Sequence, residues 1–382
     1  MKVLLATPGR FHSFALAREL QDRSALLRIV TGFPWFKVAR ENIPRNRVET
    51  TPAVQLLHFA LKRSGFHNEK IDQRLLLEAL RSVDRRSSRF VDEADVLVAL
   101  SGSGTESGEE MRRRGKVHIC DRGSSHILYQ QNILNEEADL HRAPRPFFDP
   151  RVIEREIREY ESSNVITVPS TFAERSFAGQ KVPLTKVRKV SYGVNLSVFH
   201  PTAPPSSDVF DILFVGSLCL RKGIPYLLKA FAEFRHPRKR LTLVGMRTPE
   251  TRYFESGLSG NNIRVLGPVP HLQLKHIMST SQVMVLPSVE EGLALVMAEA
   301  LACGCPVIAT TNTGAEDLFE NGKEGFIVPI RDPAAIREKL DFLADTPQAR
   351  AAMSSHSLER VNAISGWKQY GDNYFNLIRE LA

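Results

Sequence analysis

Short aliphatic runs alternate with helical patterns from one end of this chain to the other, and that alternation limits its fold more than any other feature. Each run is long enough for a buried strand and each interval long enough for a crossover helix, which is the mark of parallel sheets covered by helices on both faces. Strands are predicted at 3–6, 27–30, 96–99, 117–120, 165–168 and 187–190, and again at 212–215, 241–244, 263–266, 283–286, 307–309 and 326–328. The two halves repeat one plan. Between them, PTAPPSS (201–207) is the richest proline and serine stretch and reads as a linker. At 382 residues, with 42% hydrophobic and 25% charged, the chain has material for two or three domains with sizeable cores.

Composition removes several classes of protein. The apolar run that opens MKVLLATPGRF ends at Pro8 and Gly9, too early for a secretory signal core, and no run of about eighteen apolar residues is present to span a bilayer. A cytosolic protein is expected. Cys120, Cys219, Cys303 and Cys305 lack paired spacing, which favours reduced core thiols over a structural zinc. The net charge of +8 lies entirely in residues 1–200, which hold 32 Lys+Arg against 24 Asp+Glu. Arg74, Arg81, Arg85, Arg86 and Arg89 fall in one helical stretch with Leu76, Leu77, Leu80 and Val83, preceded by Leu56, Leu57, Phe59, Leu61, Lys62 and Arg63. Such a pattern suits an anionic membrane surface or the solvated face of an ordinary amphipathic helix. No nucleic-acid-binding motif stands out.

Chemistry concentrates in PSVEEGLALVMAEALACGCPVIA (287–309). A strand, a loop, and a helix from Leu295 to Ala302 stopped by Gly304 are predicted, so Glu291 precedes the helix and Glu299 lies within it. A helix N-terminus offers unpaired N–H groups to a diphosphate, and a carboxylate accepts from two vicinal hydroxyls. The bland reading is that Glu291 answers the helix dipole and Glu299 solvates one face. A second loop, FVGSLCLRKG (214–223), follows a strand and opens a helix near Ile224, at the sheet edge where open α/β folds bind ligands. Gly9 ends the first strand, where close backbone approach to phosphate suits glycine, although the dinucleotide fingerprint is absent. The most polar loop of the N-terminal half is DRGSSH (121–126).

The 287–309 segment resembles the donor-site signature of retaining glycosyltransferases of family 4, which have the GT-B fold. The resemblance implies two doubly wound Rossmann-like domains facing across a cleft: an acceptor-side domain of residues 1–200 plus 366–382, and a nucleotide-sugar domain of residues 201–365. VSYGVNLSVFHP (190–201) resembles the family's domain-closing segment, with Asn195 where an aspartate is usual, and the helix expected at 367–381 resembles the final helix that returns to the N-terminal domain. By the same resemblance Glu291 lies beside the transferred sugar and Glu299 holds the ribose. The backbone of Gly292, Leu293, Ala294 and Leu295 meets sugar and phosphate, and Lys222, with Gly216, Ser217 and Arg221, meets the diphosphate. Val269, in LGPV (266–269), belongs to the turn that reads the nucleobase, and TGAE (313–316) resembles the family's turn near the phosphates. Leu293 and Ala294 stand where the family often has an aromatic residue and a second glycine. Ser217 occupies the position of a customary arginine, and Arg221 either supplies that charge or points to solvent. Family enzymes place a histidine near the sugar from the loop corresponding to 121–126, which nominates His126, with Asp121 the alternative. The expected catalytic residues are thus Glu291, Lys222 and His126.

The implied activity is transfer, with retention of configuration, from a UDP- or GDP-sugar to an acceptor hydroxyl, on a glycan or a lipid-linked or cell-envelope molecule. No cofactor or metal is expected, since lysine, arginine and the helix N-terminus supply the positive charge. The protein is expected in the cytoplasm, free or peripheral on the inner face of the membrane. The rivals are a sugar-nucleotide epimerase or hydrolase on the same fold, which consumes donor without acceptor, and a non-catalytic nucleotide-sugar-binding protein.

Overall fold

The computed structural model describes residues 1–66, 68–206, 208–364 and 366–382; Ser207, the last residue of the expected linker, and Ser365, the expected domain boundary, lie outside the described residues. Among the described residues the strands form two wholly parallel sheets. In the first, β1 (Val3–Thr7), β2 (Leu26–Thr31), β3 (Val48–Thr50), β4 (Val96–Leu100), β5 (Val117–Asp121), β6 (Val165–Val168) and β7 (Val187–Lys189) lie in the order β3-β2-β1-β4-β5-β6-β7. In the second, β8 (Phe210–Val215), β9 (Lys239–Val244), β10 (Ile263–Leu266), β11 (Val283–Leu286), β12 (Val307–Thr310) and β13 (Gly325–Val328) lie in the order β10-β9-β8-β11-β12-β13. Strand order reverses between β1 and β4 and between β8 and β11, so each sheet has a crevice at the carboxyl ends of those strands.

The alternating pleat explains how one strand serves two cores. Val3 and Leu5 of β1 pack with Phe14, Leu16 and Leu20, whereas Leu4 and Ala6 pack on the other face with Val83, Leu97 and Met111. Burying each such side chain contributes about 1.5–3 kcal/mol of transfer free energy. The sequence pattern overlooked β3, an edge strand of three residues, VET, with Val48 its single apolar member; its place is set by pairing with β2, where Val48 partners Ile29.

Two crossings join the halves. Segment 190–201 leads out of the first sheet, and Asn195 turns it by accepting from Ser197 N (3.2 Å) and Ser197 Oγ (2.7 Å), work that an aspartate carboxylate does equally well. The chain returns at Gly366, and the helix Trp367–Leu381 packs on Ser13–Asp22. That helix buries Tyr370, Tyr374, Leu377 and Ile378, while Arg23 pairs with Asp372 at its edge. The crossings touch at Gly193, where an added Cβ would collide with the backbone of Gly366 and Trp367. Among the described residues no helix is long and apolar enough to cross a membrane.

The basic helical stretch takes the ordinary amphipathic arrangement, one of the two that the sequence allows. In the helix Glu69–Ser87, Leu77, Leu80 and Val83 are buried, Arg86 pairs with Glu49, and Arg81 pairs with Glu78. Its apolar face is spent on the fold. The preceding helix Ala53–Arg63 buries none of its residues and leaves Leu56 and Leu57 exposed, with Phe36 and Phe66 also exposed in neighbouring chain segments.

Candidate functional site

Both loops of the C-terminal domain that the sequence singles out sit at the β8/β11 crevice and are tied together. After β8 the chain passes Gly216 at φ +152°, makes a short turn at Leu220–Lys222, and enters the helix Ile224–Glu233 through Gly223 at φ +68°. Gly223 is required twice, because its backbone is left-handed and an added Cβ would strike Pro287 O. Val289 N donates to Arg221 O (2.8 Å), which joins the loop after β11 to the loop after β8.

The charged groups of these loops converge. Lys222 Nζ donates to Glu291 Oε1, and Arg221 Nη1 reaches Glu290 Oε2 (3.3 Å), Glu291 Oε2 (3.5 Å) and Glu290 O (3.2 Å). Glu291, joined by Glu290, raises the Arg221 pKa against the opposing effect of burial, so the guanidinium is firmly charged. Arg221 therefore faces the acidic cluster, whereas Ser217 is exposed.

Helix Leu295–Ala302 starts where the sequence pattern places it. Ala294 N donates to Thr313 O (3.3 Å), and no hydrogen bond reaches the N–H groups of Gly292 and Leu293 among the described residues. Leu295 and Glu299, one turn apart, line one face of an interdomain cavity of about 680 Å³. Burial pushes the Glu299 carboxyl up to about 7. Lys222, Arg221 and Glu291 lie outside the lining of that cavity. Val269 is half-buried after β10 and also outside it, while His271, two residues on, contributes to its wall.

The N-terminal domain meets this arrangement through the polar loop 121–126 and through Gln130, with Glu290, which the sequence reading did not nominate, as the partner. Glu290 is buried and accepts from Ser124 Oγ (2.7 Å), Ser125 Oγ (2.7 Å) and Gln130 Nε2 (3.0 Å) across the domain boundary. Burial opposes its ionisation, but the Arg221 charge and these hydrogen bonds hold its carboxyl below the usual range. Gly292 abuts Gly123 so closely that a Cβ would collide with Gly123 O. The turn at 313–316 is likewise spent on the domain boundary: Glu316 pairs with Arg175, and Asp317 with Lys189 and Thr171.

Two sequence nominations, His126 and Gly9, lie behind the cavity wall. His126 is 2% exposed and caps the helix Ile127–Leu140, its Nδ1 accepting from Leu128 N (3.2 Å). Its ring packs on Tyr160 and Phe177, and burial together with the Arg122 charge lowers its pKa to about 4. It is a core histidine, outside the cavity lining. Gly9 is buried beneath the Phe11 ring, and the cavity wall is made by its neighbours Pro8 and Arg10. The histidine of the N-terminal domain that does line the cavity is His12, whose Nε2 lies 2.6 Å from Asp121 Oδ2. Asp121 thus reaches the cavity through His12. The signal available in the sequence was position: His12 follows the first strand at the loop beside the β1/β4 crevice.

Comparison with known proteins bears on the family and the fold. Residues 200–360 match the family described as Glycosyl transferases group 1. The chain is 28% identical over 216 residues to a D-inositol 3-phosphate glycosyltransferase of Catenulispora acidiphila, covering 51% of each protein. It is 26% identical over 238 residues to a GDP-mannose-dependent monoacylated alpha-(1-6)-phosphatidylinositol monomannoside mannosyltransferase of Corynebacterium glutamicum, covering 56% of this chain and 62% of that one. The chain thus spans about half the length of the curated relatives it matches. In fold it is similar over its whole length to sucrose-phosphate synthase from Thermosynechococcus elongatus, with a TM-score of 0.77 at 20% identity, covering 100% of this chain and 99% of that one. Anabaena HepE in complex with UDP aligns with a TM-score of 0.73 at 14% identity, covering 100% of both chains. Residues 200–360 are therefore a domain of the glycosyl transferases group 1 family, set in a chain with the GT-B fold.

Proposed function

We propose that this protein is a retaining glycosyltransferase that moves a sugar from a UDP- or GDP-sugar to an acceptor hydroxyl. The observation that carries the reading is the meeting of Lys222 and Arg221 with Glu291 at the carboxyl ends of β8 and β11. Breaking a sugar–phosphate bond leaves negative charge on the diphosphate, and positioned cations lower that barrier by several kcal/mol (~3–4 for a single well-placed donor). Lys222 and Arg221 supply this charge, Arg221 standing in for the arginine that Ser217 replaces. Glu291 orients the sugar and balances its developing positive charge, Glu299 accepts from the ribose hydroxyls, and the backbone near Val269 meets the base. With two side-chain cations at the phosphates, the reaction needs no divalent ion.

The acceptor enters from the N-terminal side, where Phe11 and Leu76 line the cavity and are also exposed at its mouth. That apolar lip, together with Leu56, Leu57 and the cations Lys37 and Arg63 nearby, supports a lipid-linked acceptor and peripheral docking on an anionic cytoplasmic membrane. Thermal-shift and isothermal-titration screening of UDP- and GDP-sugars, followed by product analysis with and without chelator, tests the donor reading; activity lost in chelator and restored by manganese would overturn metal independence. Co-sedimentation with vesicles that does not respond to anionic lipid would overturn the docking.

A further inference from the structure

The floor of the cavity holds a pair of polar atoms that the fold leaves unused. His12 Nε2 lies 2.6 Å from Asp121 Oδ2, and Asp121 Oδ1 accepts from Thr167 Oγ1 (3.0 Å), which pairs in turn with Tyr374 OH (2.9 Å) on the returning helix. With Nε2 turned to Asp121, a neutral His12 ring presents its lone pair at Nδ1. No hydrogen bond reaches that Nδ1 among the described residues. The ring is stacked on Tyr192, centroids 4.3 Å apart, and set edge-on to Tyr370. Tyr192 is only 8% exposed and lines the same cavity, yet among the described residues its hydroxyl has no partner, an expensive condition for a buried phenol.

Gly123 is what keeps this pair open. A Cβ there would lie 3.1 Å from Tyr192 OH and 3.3 Å from His12 Cε1, covering the edge on which both atoms face the cavity. On its other side Gly123 abuts Gly292 of the loop that carries Glu291. We propose that His12 Nδ1 and the Tyr192 hydroxyl together hold the attacking hydroxyl of the acceptor: its O–H donates to Nδ1, and its oxygen accepts from Tyr192. One acceptor and one donor match the two hydrogen-bonding capacities of a single alcohol, and they leave its second lone pair for the sugar carbon. Asp121 is the positioning residue, since it fixes the imidazole tautomer without meeting the substrate.

The assignment rests on the glycosyl-transfer reading, and the experiment separates the two. UDP-glucose and GDP-mannose serve as probes in two assays on the full chain: binding by titration calorimetry, and release of UDP or GDP with water as the nucleophile. Tyr192→Phe keeps the stacked ring and is expected to lower turnover about tenfold; His12→Phe, which keeps the stack but accepts nothing, lowers it at least about a hundredfold. His12→Gln, whose carbonyl can accept, falls between. Sugar-nucleotide Kd values stay within about twofold of the parent in all three. Unchanged turnover in Tyr192→Phe and His12→Phe, or a rise in Kd that accounts for the lost turnover, overturns the assignment while leaving the transfer reading intact. A parent protein that neither binds nor consumes either probe overturns the transfer reading, and this assignment with it.

Discussion

In the C-terminal domain, the charged groups of the site come from two loops, 216–223 and 287–294, that follow the neighbouring strands β8 and β11 and are bonded to each other. In the N-terminal domain the corresponding groups come from segments far apart in the chain: His12 after β1, Asp121 at the end of β5, Tyr192 in the outgoing crossing and Trp367 in the returning one. In the first half-site Lys222, Arg221 and Glu291 are placed by one sheet, and Glu290 reaches across to Ser124, Ser125 and Gln130. The second exists only when the closing segment and the final helix are docked. A donor side built this way tolerates change elsewhere, whereas the acceptor side is coupled to every contact that seats the last helix.

The sharpest break between the halves comes from the charged cluster. Lys222→Ala or Glu291→Ala is expected to lower transfer about a hundredfold to a thousandfold, equivalent to losing roughly 2.7–4 kcal/mol of transition-state stabilisation. Both variants should keep the parent melting temperature within a few degrees, since each residue faces a loop rather than the sheet core; transfer at the parent rate in either one removes the donor assignment.

Gly193→Val probes the other half. The added side chain meets backbone at Gly366 and Trp367, which cannot rotate away, so the returning helix is displaced and stability falls by about 2–3 kcal/mol. Tyr370 fluorescence quenching and hydrogen exchange across 367–381 report the displacement, while nucleotide-sugar binding at the C-terminal domain persists; an undisturbed last helix would show that the crossings move independently.

Glu299 gives a pH test of smaller size. Its carboxyl is raised to about 7 by burial, against about 4.3 in an unfolded chain, so its contribution to stability declines as pH rises between those values and is level above them. Ionisation at the same time creates the acceptor that the ribose needs. Between pH 6 and 8 UDP-glucose or GDP-mannose affinity should rise by up to about tenfold, and Glu299→Gln should flatten that profile. A flat profile in the parent protein removes Glu299 from the ribose.

The smallest effect on the fold belongs to the exposed helix Ala53–Arg63. Leu56→Glu with Leu57→Glu should change stability by no more than about 0.5 kcal/mol, because neither side chain is buried, yet abolish co-sedimentation with anionic vesicles. Unaltered vesicle binding would move the docking surface elsewhere.

Legibility followed the same division. Strands such as Val283–Leu286 and Ile263–Leu266, and the helices Leu295–Ala302 and Trp367–Leu381, could be read from apolar period and punctuation because each is specified by its own residues. β3 could not, since three residues carry no period and only their pairing with β2 defines them. His126 and His12 show the limit for side chains. Both follow a strand at the carboxyl edge of the sheet, and the sequence does not say that one turns into the core against Tyr160 while the other is held at the cavity by Asp121.

By itself the sequence determined the doubly wound plan of each half, the helix behind Glu291 and the cations before Ile224, because periodicity and turn chemistry act over a few neighbouring residues. Tertiary structure alone decided that Glu290 binds the serines of the opposite domain, that Arg221 turns toward the acids, and that His12, Asp121 and Tyr192 share one wall. Those contacts join residues tens to hundreds of positions apart, and no local preference encodes them; they arise when two separately specified sheets are brought face to face.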